Sequence, residues 1–327
     1  MTQATVSVIV PVFNGAQTLE RSVNSLLDQT LTTLEIILIN DASSDDTGSL
    51  IDRLAVKHPR VRAIHNEQNQ GVHETRLTGL GAATAPWIGF LDADDITRPE
   101  MYGKMQAAGE QQRADIVVCG AYRVTGDRKV ISPKLRFRHS ATITRDIFHR
   151  FCQFRFGTGM LWNKLFRRKV IMPYAELHFP WRQNINEDLI LNIGCFKDAT
   201  RVHLMKDMFY EYVFRESSVS SSGSAEKACL QTLRAYAIAV SQFRDCGDDV
   251  LAEITNMYRQ QLSWPPYQLG DTRSMSSFGA EITEAVELIV RCYPAGLGGL
   301  VTTPPSAPMS LGRVARALSR RILGEAV

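Results

Sequence analysis

Over its first 120 residues the chain alternates short apolar runs with stretches whose apolar residues recur at helical spacing. Residues 6–12, 34–41, 61–64, 87–91 and 115–120 read as strands, several of them β-branched and apolar throughout. Between them, Leu19, Val23, Leu26 and Leu27, then Leu50, Ile51 and Leu54, fall on single helical faces, and residues 71–83 and 99–112 also read as helices. A strand that is apolar at successive positions is buried on both faces, and regular strand–helix alternation builds a parallel sheet covered on both sides. The fold class is α/β. Pro11 cannot donate a ladder hydrogen bond, so the first strand is expected to loosen there.

Two of these runs break off in acid. The second ends at Asp41, and the fourth ends in Asp92, Ala93, Asp94 and Asp95. Parallel strands share one C-terminal edge, which is where open α/β sheets bind ligands. Three carboxylates in four residues repel one another. A hard divalent cation, Mg²⁺ or Mn²⁺, offsets that repulsion with oxygen ligands, so Asp92 and Asp94 are candidates for a metal that also holds a diphosphate. An acidic turn capping the next helix, with Asp95 as the cap before Pro99, accounts for the same residues.

Charge is unevenly spread. From Arg128 to Arg182 there are 13 Lys and Arg against Asp146 and Glu176, a net +11, while the whole chain is +3, leaving −8 elsewhere. A basic middle beside an acidic rim suits a polyanionic ligand such as a nucleotide diphosphate or an anionic lipid carrier. Nucleic acid is not expected, because basic repeats interleaved with aromatics are missing. Six scattered cysteines without Cys-x-x-Cys spacing argue against a zinc ribbon or disulfide framework and fit a reducing compartment. No apolar run reaches spanning length and no basic-then-apolar leader opens the chain, so a secreted or integral membrane protein is not expected.

Four ordered motifs carry a resemblance: residues 8–14 (VIVPVFN), 39–47 (INDASSDDT), 69–71 (NQG) and 90–95 (FLDADD). Together they resemble family 2 glycosyltransferases of the GT-A fold, strongly over the first 125 residues and weakly to residue 222. The resemblance implies a Rossmann-like, mostly parallel sheet flanked by helices in residues 1–222, followed by a helical C-terminal region in 223–327. It implies an inverting, metal-dependent enzyme that takes a nucleoside diphosphate sugar, usually a UDP-sugar, and a saccharide or lipid-linked acceptor, as in bacterial surface polysaccharide synthesis. By position, Pro11, Val12, Phe13 and Asn14 line the nucleobase and ribose, and Asp41 accepts a hydrogen bond from the base. Arg76 lies near the diphosphate, and Asp92, Ala93 and Asp94 form the metal–diphosphate motif, with Asp94 the more direct ligand. The residues around Arg76, HETRL at 73–77, depart from the family pattern.

Further along, residues 162–168 (WNKLFRR) resemble another family segment, with Trp162 as a stacking platform and Lys164 as a charge neutraliser. A helix packing Trp162, Leu165 and Phe166 inward explains the same stretch. The pair Glu187–Asp188 stands at the head of a helix, which its charge suits without any chemistry; the resemblance makes Asp188 the general base. Arg215, Ser218 and Ser220 match an arginine and serines that close over the diphosphate, although residues 217–224 also read as a linker. His203 is either a further metal ligand or a structural residue. Residues 125–160 give no clear pattern beyond a basic, aromatic stretch at 136–139.

From residue 225 the chain reads as helices at 227–244, 250–262 and 281–292, with no chemical motif. The stretch 311–323 sets Leu311, Val314, Leu318 and Ile322 on one stripe among four arginines, suited to packing, to oligomerisation or to an anionic membrane. The expected location is cytoplasmic, with contact at the inner membrane face as an option. Two other readings compete. An Asp-x-Asp phosphatase leaves residues 11–14 and 187–188 unexplained, and a degenerate sugar-nucleotide scaffold keeps the fold without turnover.

Overall fold

All seven residues of β1 (Val6–Val12) are buried. In the computed structural model, which describes residues 3–215, 225–264 and 278–301, β1 lies between β2 (Leu34–Asn40) and β4 (Trp87–Phe90), parallel to both. β3 (Val61–His65) continues the parallel ladder beyond β2. Crossovers are made by α1 (Leu19–Leu27), α2 (Thr47–Lys57) and α3 (Val72–Ala82). Val23 and Leu26 of α1 and Leu50 and Ile51 of α2 bury their faces in one core with Val8, Val10, Ile36 and Leu38 of the sheet. α3 approaches so closely that a Cβ on Gly79 would lie 2.4 Å from Ile9 Cγ2. The loosening expected at Pro11 is one-sided. The ladder to β4 stops at Ile9, whereas pairing with β2 runs on through Val12.

After β5 (Ile96–Thr97) and α4 (Met101–Gln111) come β6 (Ile116–Val124), β7 (Val130–Leu135), β8 (Ala141–Ile143), α5 (Ile147–Cys152), β9 (Lys164–Arg167), α6 (Arg168–Ile171), α7 (Glu187–Asp198) and β10 (Val202–Val213). The sheet order is β3-β2-β1-β4-β9-β6-β10-β5, with β7 on β6 and β8 on β10. β6 and β10 are parallel to each other, and β9 is antiparallel to both β4 and β6. Therefore β1, β2, β3, β4, β6 and β10 all run one way. The mostly parallel α/β sheet flanked by helices is the architecture expected from the alternation.

The interior helix considered for residues 162–168 is instead β9, whose pairing with β4 and β6 closes the sheet; α6 begins only at Arg168. β10 runs from Val202 to Val213. The C-terminal helices are α8 (Ala225–Gln242), α9 (Asp248–Leu262), α10 (Gly279–Cys292) and α11 (Pro294–Val301). Among the described residues no helix is long and apolar enough to cross a membrane. Ser218, Ser220 and the stretch 311–323 lie outside the described residues.

Contacts divide the described chain into two units. Residues 3–148, 156–178 and 194–215 form one, which holds the sheet. Residues 149–155, 179–193, 225–264 and 278–301 form the other, which is helical.

Candidate active site

Within the sheet unit, the loops after β1 and β2 are laced together. Asn14, at φ +50°, donates its N–H to Ser43 Oγ (2.9 Å) and accepts Ser44 N–H on Oδ1 (2.9 Å). Gly15 N–H reaches Thr47 Oγ1 (2.8 Å), and Ala16 N–H reaches Asp45 Oδ2 (3.2 Å). Asp45 also accepts from Thr47 N–H at 3.1 Å. Slight burial works against its charge, but these hydrogen bonds outweigh it and lower its pKa. Asp45 is a loop brace. Pro11 and Val12 are buried beneath this loop, while Phe13 presents its ring at 53% exposure and Asn14 is exposed beside it.

Asp41 is almost fully buried and organises the segment that leads into α3. Its Oδ1 accepts Asn66 Nδ2 (3.0 Å) and Gln70 N–H (2.9 Å), and its Oδ2 accepts Gly71 N–H (2.9 Å). Gly71 sits at φ +91°, a backbone state open to glycine at little cost. A carboxylate offers about four acceptor directions, and three of those of Asp41 are taken by Asn66, Gln70 and Gly71.

The acidic turn after β4 carries two accessible carboxylates and one buried one. Asp92 faces Arg76 of α3, with Oδ1 3.3 Å from Nη2. Asp94 faces Arg215, with Oδ2 3.3 Å from Nη1, while its carbonyl accepts Arg215 Nη2 (3.2 Å) and Arg21 Nη2 (3.1 Å). Side-chain exposure is 32% at Asp92 and 45% at Asp94, enough for a ligand to reach both. Burial and then the charge of Asp92 raise the Asp94 pKa, while Arg215 and Arg21 pull it back. Asp95 does not cap a helix. It is buried, accepting the Tyr210 hydroxyl (2.9 Å) and Val213 N–H (2.8 Å), and so ties the turn to β10. Burial, Asp94 and Asp92 together push its pKa well up.

Trp162 and Lys164 are placed differently from the expectation. The Trp162 indole is buried and stacks on Tyr210, with centroids 4.1 Å apart. Lys164 is fully buried, and its ammonium donates to the carbonyls of Met160 and Thr158 and to Asn163 Oδ1. Trp162 lies in the turn before β9 and Lys164 opens that strand, and both side chains enter the core, where oxygen acceptors stabilise the ammonium. His203 opens β10, at the end of the sheet opposite the acidic turn, and bonds Thr142 Oγ1 (2.9 Å).

In the helical unit, Asp188 is half-buried in the first turn of α7. Its Oδ1 accepts Leu189 N–H (2.8 Å), and its carbonyl accepts Asn192 Nδ2 (3.0 Å). Just before it, Asn186 holds φ +67°. Gln261 Nε2 donates to Asn186 Oδ1 (2.7 Å), and Asn186 Nδ2 donates to Thr232 Oγ1 (3.2 Å). Two helices that show no chemical motif in sequence thus fix the approach to Asp188.

The sequence pattern of glycosyl transferase family 2 matches residues 7–174, slightly more than half of the chain. The chain belongs to glycosyl transferase family 2. Among its relatives, the uncharacterized glycosyltransferase EpsJ of Bacillus subtilis is 35% identical over 211 residues, 63% of this chain and 60% of EpsJ. The poly(ribitol-phosphate) beta-N-acetylglucosaminyltransferase TarP of Staphylococcus aureus is 27% identical over 226 residues, 68% of this chain and 67% of TarP. The chain therefore spans about three fifths of the length of EpsJ. The solved structure of S. aureus TarS 1-349 in complex with UDP-GlcNAc superposes with a TM-score of 0.68 at 20% identity, covering 98% of this chain and 92% of that one. At that identity the likeness is one of fold.

For this family 2 chain the fit of a metal rests on the donor set. Among the described residues no group of three or more His, Cys, Asp or Glu is arranged to hold an ion. A small hard cation needs fewer protein ligands, one or two carboxylates with phosphate and water oxygens completing the shell. Asp94 and Asp92 are accessible hard-oxygen donors of that kind. Sequence reasoning missed Arg21, which braces the Asp94 carbonyl, and Lys134, whose ammonium lies 3.8 Å from the Tyr212 ring centroid. Each is a single basic residue with no spacing to mark it.

Proposed function

We propose that the protein transfers a sugar from a nucleoside diphosphate sugar, a UDP-sugar, to a hydroxyl of a saccharide or lipid-linked saccharide, inverting the anomeric centre. The observation that carries this reading is the pairing of two accessible carboxylates with two arginines on one rim, Asp92 with Arg76 and Asp94 with Arg215. Such alternating charge suits a diphosphate, which the arginines bind directly. Exposed Phe13 offers a face to the base above the laced loops, and Asp41 braces the backbone beside them. The complex of TarS with UDP-GlcNAc supports a UDP-sugar donor, and the N-acetylglucosaminyl transfer in the name of TarP supports sugar transfer.

In the reaction, Asp188 takes the proton of the acceptor hydroxyl as general base. The oxygen attacks C1 from the face opposite the diphosphate, the C1–O bond to the leaving phosphate breaks, and the electron pair stays on the nucleoside diphosphate. Arg76 and Arg215 stabilise the charge that develops there. Asp94, with Asp92 in support, would hold Mn²⁺ or Mg²⁺, which when bound supplies further neutralisation of the diphosphate.

Turnover of a panel of UDP-sugars, followed by UDP release with Mn²⁺ and with chelator, tests this. Asp188→Asn should lower kcat by about 10²- to 10⁴-fold while UDP still binds. Full activity in that variant would remove the base from the scheme.

A further inference from the structure

Five large apolar side chains are exposed among the described residues, and three of them adjoin. Val130 pairs with Val124, Val124 pairs with Val213, and Phe214 N–H donates to the Val124 carbonyl (2.8 Å). Val130 (52% exposed), Ile131 (49%) and Phe214 (40%) thus share one corner of the sheet, on the strands either side of β6. β6 and β10 run parallel to β4, so this corner belongs to the same strand-end rim as Asp92 and Asp94. The β6–β7 hairpin is also basic. Residues 122–135 hold Arg123, Arg128, Lys129 and Lys134 against Asp127; Arg128 also meets Glu211 of β10 (2.8 Å), Lys129 meets Asp127 (2.7 Å), and Arg123 and Lys134 lie over the rings of Phe214 and Tyr212. Lys129 is 81% exposed, and among the described residues β7 pairs with β6 alone.

The hairpin tip is bound to the acidic turn by one side chain. Arg21 donates Nη1 to the Gly126 carbonyl (3.0 Å) and Nη2 to the Asp94 carbonyl (3.1 Å). The tip and the acidic turn therefore share one arginine.

We propose that this hairpin docks the protein on an anionic phospholipid surface, with Val130, Ile131 and Phe214 entering the headgroup–acyl boundary and the basic side chains facing lipid phosphates. Adjoining exposed apolar residues mark an interaction surface. Apolar tips flanked by cations bind where both terms act together, buried apolar area and attraction to negative lipid. A soluble polyanion would use the cations and leave the apolar corner in water, so the membrane accounts for more of the surface. Building on the transfer proposed above, docking here presents a lipid-linked acceptor at the rim that holds the donor.

Vesicle co-sedimentation of the full chain tests the docking without any turnover. Vesicles of phosphatidylcholine with phosphatidylglycerol should bind, pure phosphatidylcholine should bind much less, and raised salt should release the protein. Val130→Glu/Ile131→Glu and, separately, Lys129→Glu should each weaken binding about tenfold or more. All three positions are exposed, so thermal midpoints and UDP release with a soluble acceptor should be unchanged. Equal binding by the variants, no preference for the anionic vesicles, or binding of soluble polyphosphate without binding of vesicles would overturn the proposal. Loss of UDP release in every protein would instead count against the transfer reading, since vesicle binding is measured independently of it.

Discussion

Asp94 and Asp95 are neighbours with opposite fates. Asp94 keeps nearly half its side chain in solvent opposite Arg215, while Asp95 is sealed against Tyr210 and Val213. The acids were legible because they interrupt an apolar run, but sequence could not say which of the three faces inward. That is set by β10, more than 100 positions away. The Glu-Asp pair marks Asp188 as a candidate in the sequence, whereas the residues that hold its helix start carry no mark, since a glutamine or threonine on a long helix has no pattern. Gln261 is such a support. Gln261→Ala removes the donor to Asn186 Oδ1 and frees the backbone ahead of Asp188. It should lower kcat about tenfold with the donor KM unchanged, and cost about 1 kcal/mol of stability. Steady-state kinetics beside a urea melt separates the two effects, and an unchanged kcat in a destabilised variant would leave Gln261 a purely structural residue.

Among the elements, the parallel strands announced themselves and the antiparallel ones did not. β1, β2 and β4 are buried on both faces and read as unbroken apolar runs. β9 has four residues, two of them basic, and β7 is mostly exposed, so neither shows the length or the alternation that signals a strand. α3 was found, but not its second task. His73 donates Nε2–H to the Leu177 carbonyl (2.6 Å), and Glu74 meets His178 Nδ1 (2.7 Å), so its first turn anchors residues 177–178. Burial first, then the charges of Arg76 and His178, lower the His73 pKa to about 4 from 6.5, against the bond to Leu177. Between those values the unfolded chain takes a proton that the folded chain refuses. The stability contributed by neutral His73 is therefore complete above pH 6.5 and is lost as pH falls toward 4, by about 3 kcal/mol in all. Denaturation at pH 7.5 and 4.5 should show a larger loss in the wild type than in His73→Gln, a comparison in which the other titrating groups cancel. Equal losses would show that His73 titrates normally.

At the scale of the molecule, the α/β architecture and family membership were readable from four spaced motifs, because three of them run through the ends of β1, β2 and β4 and the fourth opens α3. The partition was not. The helical unit takes residues 149–155 and 179–193 from the middle of the chain together with the C-terminal helices, and no change in composition marks those crossings. Residues 179–193 carry Asp188, so the proposed base and the acids proposed to face the diphosphate belong to different units of one chain. The account as a whole depends on the rim binding a nucleoside diphosphate through a shared cation. Calorimetric titration of UDP into wild type and Asp94→Asn, each with and without Mn²⁺, tests this most directly. Binding to the wild type should strengthen at least tenfold with Mn²⁺, and the variant should lose that gain; equal affinity in all four titrations would contradict a cation-bridged diphosphate at Asp94.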